Sequence, residues 1–82
     1  MLLPDKHVSL GESTLGLGAF VLDVLRQPMS PDEIHARVMM AFQSGELPAR
    51  HDFDGVVRSI LFLYALGAVD VTETGDVHRC VS

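Results

Sequence analysis

The sequence has few cysteines and few basic residues, and each scarcity excludes a class of protein. A single cysteine, Cys80, in a chain of 82 residues excludes an internal disulfide and is typical of a reducing compartment. Eleven acidic residues against six basic ones give a net charge of −5. Proteins that bind nucleic-acid duplexes usually carry a basic stripe, because phosphate contacts provide most of the affinity. The charge balance therefore disfavours nucleic acid as the main partner.

Long apolar runs are also missing. The longest, residues 15–22 and 60–69, are far shorter than the roughly 18 residues that a membrane-spanning helix needs. The N-terminus lacks the basic region and the long apolar region of a signal peptide. We therefore expect a cytoplasmic protein that makes no contact with a membrane.

Apolar residues are nevertheless abundant. They make up 48% of the chain, and the mean hydropathy of +0.28 is high for a small protein with much surface. A single domain of this length, residues 1–82, buries only about 60% of the surface of its extended chain. We therefore expect another chain to cover part of the apolar surface.

The chain begins with an extended arm, residues 1–8, whose proline leaves only a short edge strand around residues 6–8. Ser9 and Glu12 form a capping box, which predicts a first helix that continues to about Arg26. Its apolar residues cover more than half of the circumference: Leu15, Leu17, Phe20, Val21, Leu22, Val24 and Leu25. Because a surface helix has a narrower apolar stripe, we expect this helix to be buried on two sides.

A second capping box, Ser30 with Glu33, has proline at the first helical position and predicts the second helix. This helix ends near Ser44, where Gly45 stops it. We expect its inward residues to be Ile34, Val38, Met39 and Phe42.

After a loop at residues 46–51, Asp52 caps a third helix over residues 53–66, and Gly67 ends it. The predicted core face consists of Phe53, Val56, Val57, Ile60, Leu63 and Tyr64. The opposite face consists of Gly55, Arg58, Ser59, Phe62, Ala65 and Leu66.

The chain closes with a predicted β-hairpin. Residues 68–72 alternate as a strand, residues 73–76 supply a turn in which Gly75 can adopt a positive φ, and residues 77–81 return as the second strand. An arm, three helices and a C-terminal hairpin make an α+β, winged-helix-like domain. The third helix takes the position of the recognition helix.

Two patterns suggest chemistry only weakly. Gly16 and Gly18 resemble part of a phosphate-binding loop, but no strand precedes them and no lysine follows, so close helix packing accounts for them better. His78 and Cys80 lie on one face of the last strand and His7 is a possible neighbour, yet the spacing of a zinc site is missing. No Ser, His or Cys combination indicates catalysis. We expect no metal, no cofactor and no enzymatic activity.

The outer face of the third helix is the most informative feature. Five of its six residues lack a charge, whereas a helix that reads a DNA groove presents Arg, Lys, Asn or Gln. Phe62 lies near Leu66, with Arg58 one turn earlier, and an aromatic residue beside an arginine is typical of a protein interface. The alternative is that Phe62 packs within its own domain. The sequence favours a protein interface.

The two ends of the chain resemble a known family. Leu3-Pro-Asp-Lys-His7, a serine-containing stretch and Gly16-Leu-Gly-Ala19 follow one another as in the type-six middle components of bacterial ABC-three-component systems. The stretches 62–69 and 75–80 are similar to the C-terminal half of the same family, while residues 29–51 are less diagnostic.

This resemblance implies a small winged-helix-like adaptor in an anti-phage or anti-plasmid defence complex. Its partners would be an ABC ATPase of the SMC or Rad50 type and a separate effector. The side chains that we predict to bind these partners lie in the arm, the first helix and the third helix: Leu2, Leu3, His7, Phe20, Arg58, Phe62 and Leu66.

Two other interpretations stay open. The same fold also serves DNA-binding transcriptional regulators, and a self-associating dimer would likewise explain the excess of apolar surface.

Overall fold

The computed structural model describes residues 14–80 and shows three helices followed by a two-stranded hairpin. The elements are α1 (Thr14–Val24), α2 (Pro31–Gln43), α3 (Phe53–Ala65), β1 (Val69–Val71) and β2 (Val77–Arg79). The predicted α+β class and element order are confirmed, and the arrangement is compatible with a winged helix. The arm at residues 1–8 and the capping box of Ser9 and Glu12 lie outside the described residues.

Side-chain caps define where α2 and α3 begin. Ser30 Oγ accepts from the Glu33 amide at 3.1 Å, and Glu33 Oε1 accepts from the Ser30 amide at the same distance. Asp52 Oδ1 accepts from the Gly55 amide at 2.8 Å. Each cap satisfies amides that a helix leaves unpaired in its first turn, so both predicted helix starts are confirmed.

The hairpin has the predicted turn. Val69 lies opposite Arg79, Asp70 opposite His78 and Val71 opposite Val77. Gly75 has a φ of 90°, a conformation that side chains disfavour, and its amide donates to the Thr72 carbonyl at 2.9 Å.

Met29, in the connection between α1 and α2, adds a further rung to this sheet. Its amide donates to the Val77 carbonyl at 2.9 Å, and the Val77 amide donates back at 2.7 Å. The two bonds attach the start of α2 to the outer edge of β2. They thereby hold the helices and the hairpin together.

The core lies where the three helices meet the inner face of the hairpin. Its buried apolar residues are Leu17, Val21, Leu25, Met29, Ile34, Val38, Ala41, Leu47, Val56, Ile60, Leu63, Val69 and Val77. Among the described residues, no helix has both the length and the apolar content to cross a membrane.

The core face of α3 is rotated from the predicted one. Phe53 and Tyr64 were expected inside but are 39% and 54% exposed, whereas Ser59 was expected outside and is fully buried. The cause is a close approach of α1, since a β-carbon added to Gly18 would lie 3.3 Å from Leu63 Cδ2 and 3.5 Å from Ser59 Oγ. A small residue on each helix permits this approach. It confirms that Gly18 serves helix packing.

Two other expectations of burial differ from the structure. On α2, Phe42 is 37% exposed and Ala41 takes its place in the core, because Ile34, Val38 and Ala41 share one face at helical spacing. On α1, Leu15 is 58% exposed, so the described residues leave part of the predicted second buried side uncovered.

Candidate protein interface

The outward side of α3 presents a row of apolar side chains that begins at an arginine. We call it the outer α3 surface and define it as Arg58, Leu61, Phe62, Ala65 and Leu66, all of which are exposed. These residues face outward because Val56, Ser59, Ile60 and Leu63 occupy the opposite side of the helix in the core.

The exposure on this surface is large for apolar side chains. Leu61 is 59% exposed, Leu66 is 64% exposed and Phe62 is 37% exposed. Single exposed leucines are ordinary on protein surfaces, but several together on one helix face are typical of a binding site.

Leu61 was missed by the sequence analysis, which placed it on neither face of the helix. It follows Arg58 by three residues and precedes Ala65 by four, and residues with this spacing are neighbours on a helix. The helical period therefore contained the signal that Leu61 lies in the middle of the outer α3 surface.

Arg58 forms the polar border of the surface. With Arg50, His51 and Asp52 it lines an open depression of about 390 Å³ at the start of α3. The Asp52 carboxylate is already used there to cap the helix at Gly55. Arg58 is exposed, so its guanidinium can pair with an acidic group on a partner.

Phe20 lies on a different surface. It is half-buried and lines a groove of about 240 Å³ between α1 and α2, together with Val24, Arg37, Met40 and other residues of α2 and its C-terminal loop. No residue of α3 lines this groove. The predicted partner-binding residues therefore divide between two surfaces, while Leu2, Leu3 and His7 lie outside the described residues.

His78 and Cys80 lie in a third depression. This α1–β2 groove, of about 500 Å³, is formed by Arg26, Gln27 and Pro28 after α1 and by His78, Arg79 and Cys80 at the end of the hairpin. Within residues 14–80, no group of three His, Cys, Asp or Glu side chains is arranged to hold a metal ion. The third member of the predicted trio, His7, precedes the described part of the chain.

The charges near α3 and the hairpin are mainly acidic. Arg58 is the one charged residue of the outer α3 surface, and the hairpin carries Asp70, Glu73 and Asp76 against Arg79. Because a DNA backbone is a dense row of negative charges, this distribution favours a protein partner over a duplex.

A comparison with protein families agrees with these features. The model of the ABC-three component (ABC-3C) system Middle Component 6 family matches residues 3–80. The chain belongs to this family. No curated protein and no solved structure matches it significantly. The predicted resemblance is confirmed, and a Middle Component 6 protein, as one part of a multi-component system, has partner proteins.

Proposed function

We propose that this Middle Component 6 protein is a non-enzymatic adaptor that links an SMC- or Rad50-like ABC ATPase to an effector in an anti-phage or anti-plasmid defence complex. The observation that carries the proposal is the outer α3 surface, with its exposed Leu61, Phe62 and Leu66 bordered by Arg58. An adaptor needs surfaces that bind protein and has no need of a catalytic site.

The composition of the outer α3 surface suits a stable contact. Complete burial of an exposed Leu or Phe side chain stabilises an association by about 1.5–3 kcal/mol before the costs of association. Aromatic residues and arginine are enriched among the residues that dominate binding energies, and here Phe62 and Arg58 are one helical turn apart.

Two separate surfaces also suit a protein that joins two partners. The groove that holds Phe20 shares no residue with the outer α3 surface. In this proposal one partner covers the outer α3 surface, while the other contacts the groove between α1 and α2.

The substitution Phe62→Asp tests the first contact. We expect the variant to stay folded, because Phe62 is outside the core, and to lose one partner in co-purification with the ATPase and effector that the proposal assigns to its system. A carboxylate in a desolvated apolar contact weakens binding by about 2 kcal/mol or more, roughly 30-fold in Kd. Leu61→Asp should have the same effect.

Met40→Asp is the matched control. Met40 is 62% exposed and occupies the tenth position of α2, as Phe62 does in α3, and both helices have 13 residues. The new carboxylate therefore meets the same helix dipole in both variants. We expect Met40→Asp, which alters the Phe20 groove, to keep the partner that Phe62→Asp loses. Unfolding of Phe62→Asp, or loss of the same partner by both variants, contradicts the proposal.

A further inference from the structure

We infer that the α1–β2 groove binds an extended acidic segment of a partner protein. The segment would accept a hydrogen bond from the Arg79 amide at the edge of β2 and place carboxylates against Arg26 and Arg79. This surface shares no residue with the outer α3 surface, so its test and the test of the proposed function fail or succeed separately.

The edge of β2 is only partly paired. The Cys80 amide donates to the Ala68 carbonyl, and the Thr72 amide donates to the Asp76 carbonyl. Because backbone groups alternate in direction along a strand, the amides of Val77 and Arg79 point away from β1. Met29 pairs with Val77 on that outer edge. If this antiparallel pairing continued, the next hydrogen-bonded pair would be Gln27 with Arg79. No backbone hydrogen bond joins these two described residues.

The local backbone explains why this pairing stops. The chain bends at residues 26–27 as it leaves α1, so Gln27 does not continue the extended backbone of Met29 along β2. The Arg79 amide consequently has no protein acceptor within residues 14–80, and the Arg79 carbonyl lies 3.2 Å from Nδ1 of His78. An amide with no acceptor among the described residues, at the edge of a strand, is a site where an extended peptide can add.

The charge around the groove selects an acidic segment. None of the described residues that line it is Asp or Glu, although the chain as a whole has a net charge of −5. Arg26 is 3.9 Å from Asp23, but both side chains are highly exposed, and such a pair contributes little and can be exchanged. The groove therefore presents two guanidinium groups and a backbone amide, all of them donors.

A peptide fits this groove better than a nucleic acid does. Its volume of about 500 Å³ lies in the range of sites for small ligands and short chain segments. Asp70, Glu73 and Asp76 lie on the same hairpin and would repel a long phosphate backbone, whereas a short segment with a few carboxylates avoids them.

Cys80 provides a direct reporter, because it is the single cysteine of the chain, is exposed and lines the groove. The experiment measures alkylation of Cys80 by iodoacetamide in the full chain, with and without a short peptide of alternating Glu and Val. We expect this peptide to slow alkylation and to shift the amide resonance of Arg79. A peptide of alternating Lys and Val should do neither.

Matched arginine variants show which side chains bind the peptide. We expect Arg26→Gln with Arg79→Gln to weaken peptide binding by roughly tenfold or more, because charge-assisted hydrogen bonds are lost. Arg37→Gln with Arg50→Gln removes two arginines outside this groove and should leave binding unchanged. For each variant, protection is the ratio of the alkylation rates of Cys80 without and with peptide. A substitution that changes the intrinsic reactivity of Cys80 changes both rates equally and leaves this ratio unaffected.

Three outcomes overturn the inference. The first is that the Glu–Val peptide leaves Cys80 as reactive as before. The second is equal protection by the Lys–Val peptide. The third is stronger protection by a single- or double-stranded oligonucleotide that depends on Arg26 and Arg79, since the groove would then bind phosphates.

Discussion

Ser59 shows how a single small residue determines the packing of two helices. Its side chain is fully buried against α1, and its hydroxyl has no hydrogen-bond partner within residues 14–80. A larger residue at Ser59 on α3, or at Gly18 on α1, would push α1 and α3 apart, because Gly18 lies against Ser59 and Leu63. Burial of the hydroxyl without a partner costs free energy, so packing and not hydrogen bonding accounts for a small residue at this position.

The substitution Ser59→Ala should therefore stabilise the protein. Removal of an unsatisfied buried hydroxyl recovers about 1 kcal/mol or more, and alanine also favours the helix. Urea denaturation measures the change in the free energy of unfolding. Ser44→Ala is the control, because the Ser44 hydroxyl donates to the Ala41 carbonyl at 3.2 Å and its loss should not stabilise. A lower stability of Ser59→Ala would mean that the hydroxyl makes a hydrogen bond in solution.

At the scale of elements, the start of α2 is held by reciprocal hydrogen bonds at Ser30 and Glu33. The same short stretch carries Met29, whose two bonds to Val77 attach α2 to the hairpin. The cap stabilises the start of the helix, and Met29, one residue before the cap, holds this end of α2 against the strand edge next to the α1–β2 groove.

Ser30→Ala should lower the free energy of unfolding by about 1 kcal/mol, the usual cost of losing a side-chain cap. Ser30→Asn should restore most of this loss, because asparagine accepts a hydrogen bond from the same amide. Chemical denaturation of both variants checks the prediction. Equal destabilisation by Ala and Asn would show that the Ser30 cap contributes little.

At the scale of the whole molecule, a net charge of −5 and an acidic hairpin determine which partners can approach. A transcriptional regulator with this architecture would bring α3 and the hairpin against phosphates. The outer α3 surface has only Arg58 for such contacts, and the hairpin has only Arg79.

The isolated protein should therefore bind duplex DNA weakly or not at all at micromolar concentration. Fluorescence anisotropy with a labelled duplex at about 50 mM salt tests this, because low salt gives electrostatic binding its greatest strength. Tight binding that falls steeply with added salt would support the DNA-binding regulator instead of the adaptor.

The exposed side chains of the proposed interface were harder to predict than the fold. Arg58, Phe62 and Leu66 are exposed on α3 as expected, but Leu61 was overlooked and Phe20 lies in another groove. Tyr64 was expected in the core and is exposed, whereas Ser59 was expected on the surface and is buried. A helical wheel gives the angle between residues, but it does not show which side of α3 meets α1 and which side meets α2.

Local patterns along the chain were enough to predict the elements, and the two ends of the chain were enough to predict the family. Caps at Ser30 and Asp52, the turn at Gly75 and the helical spacing of apolar residues act through local hydrogen bonds and backbone sterics, which neighbours in the chain specify. Three other features became known only from the folded chain: Ser59 lies against Gly18, Met29 pairs with Val77, and Arg26 and Arg79 border one groove. These contacts join distant parts of the chain, and the close packing of the helices fixes them.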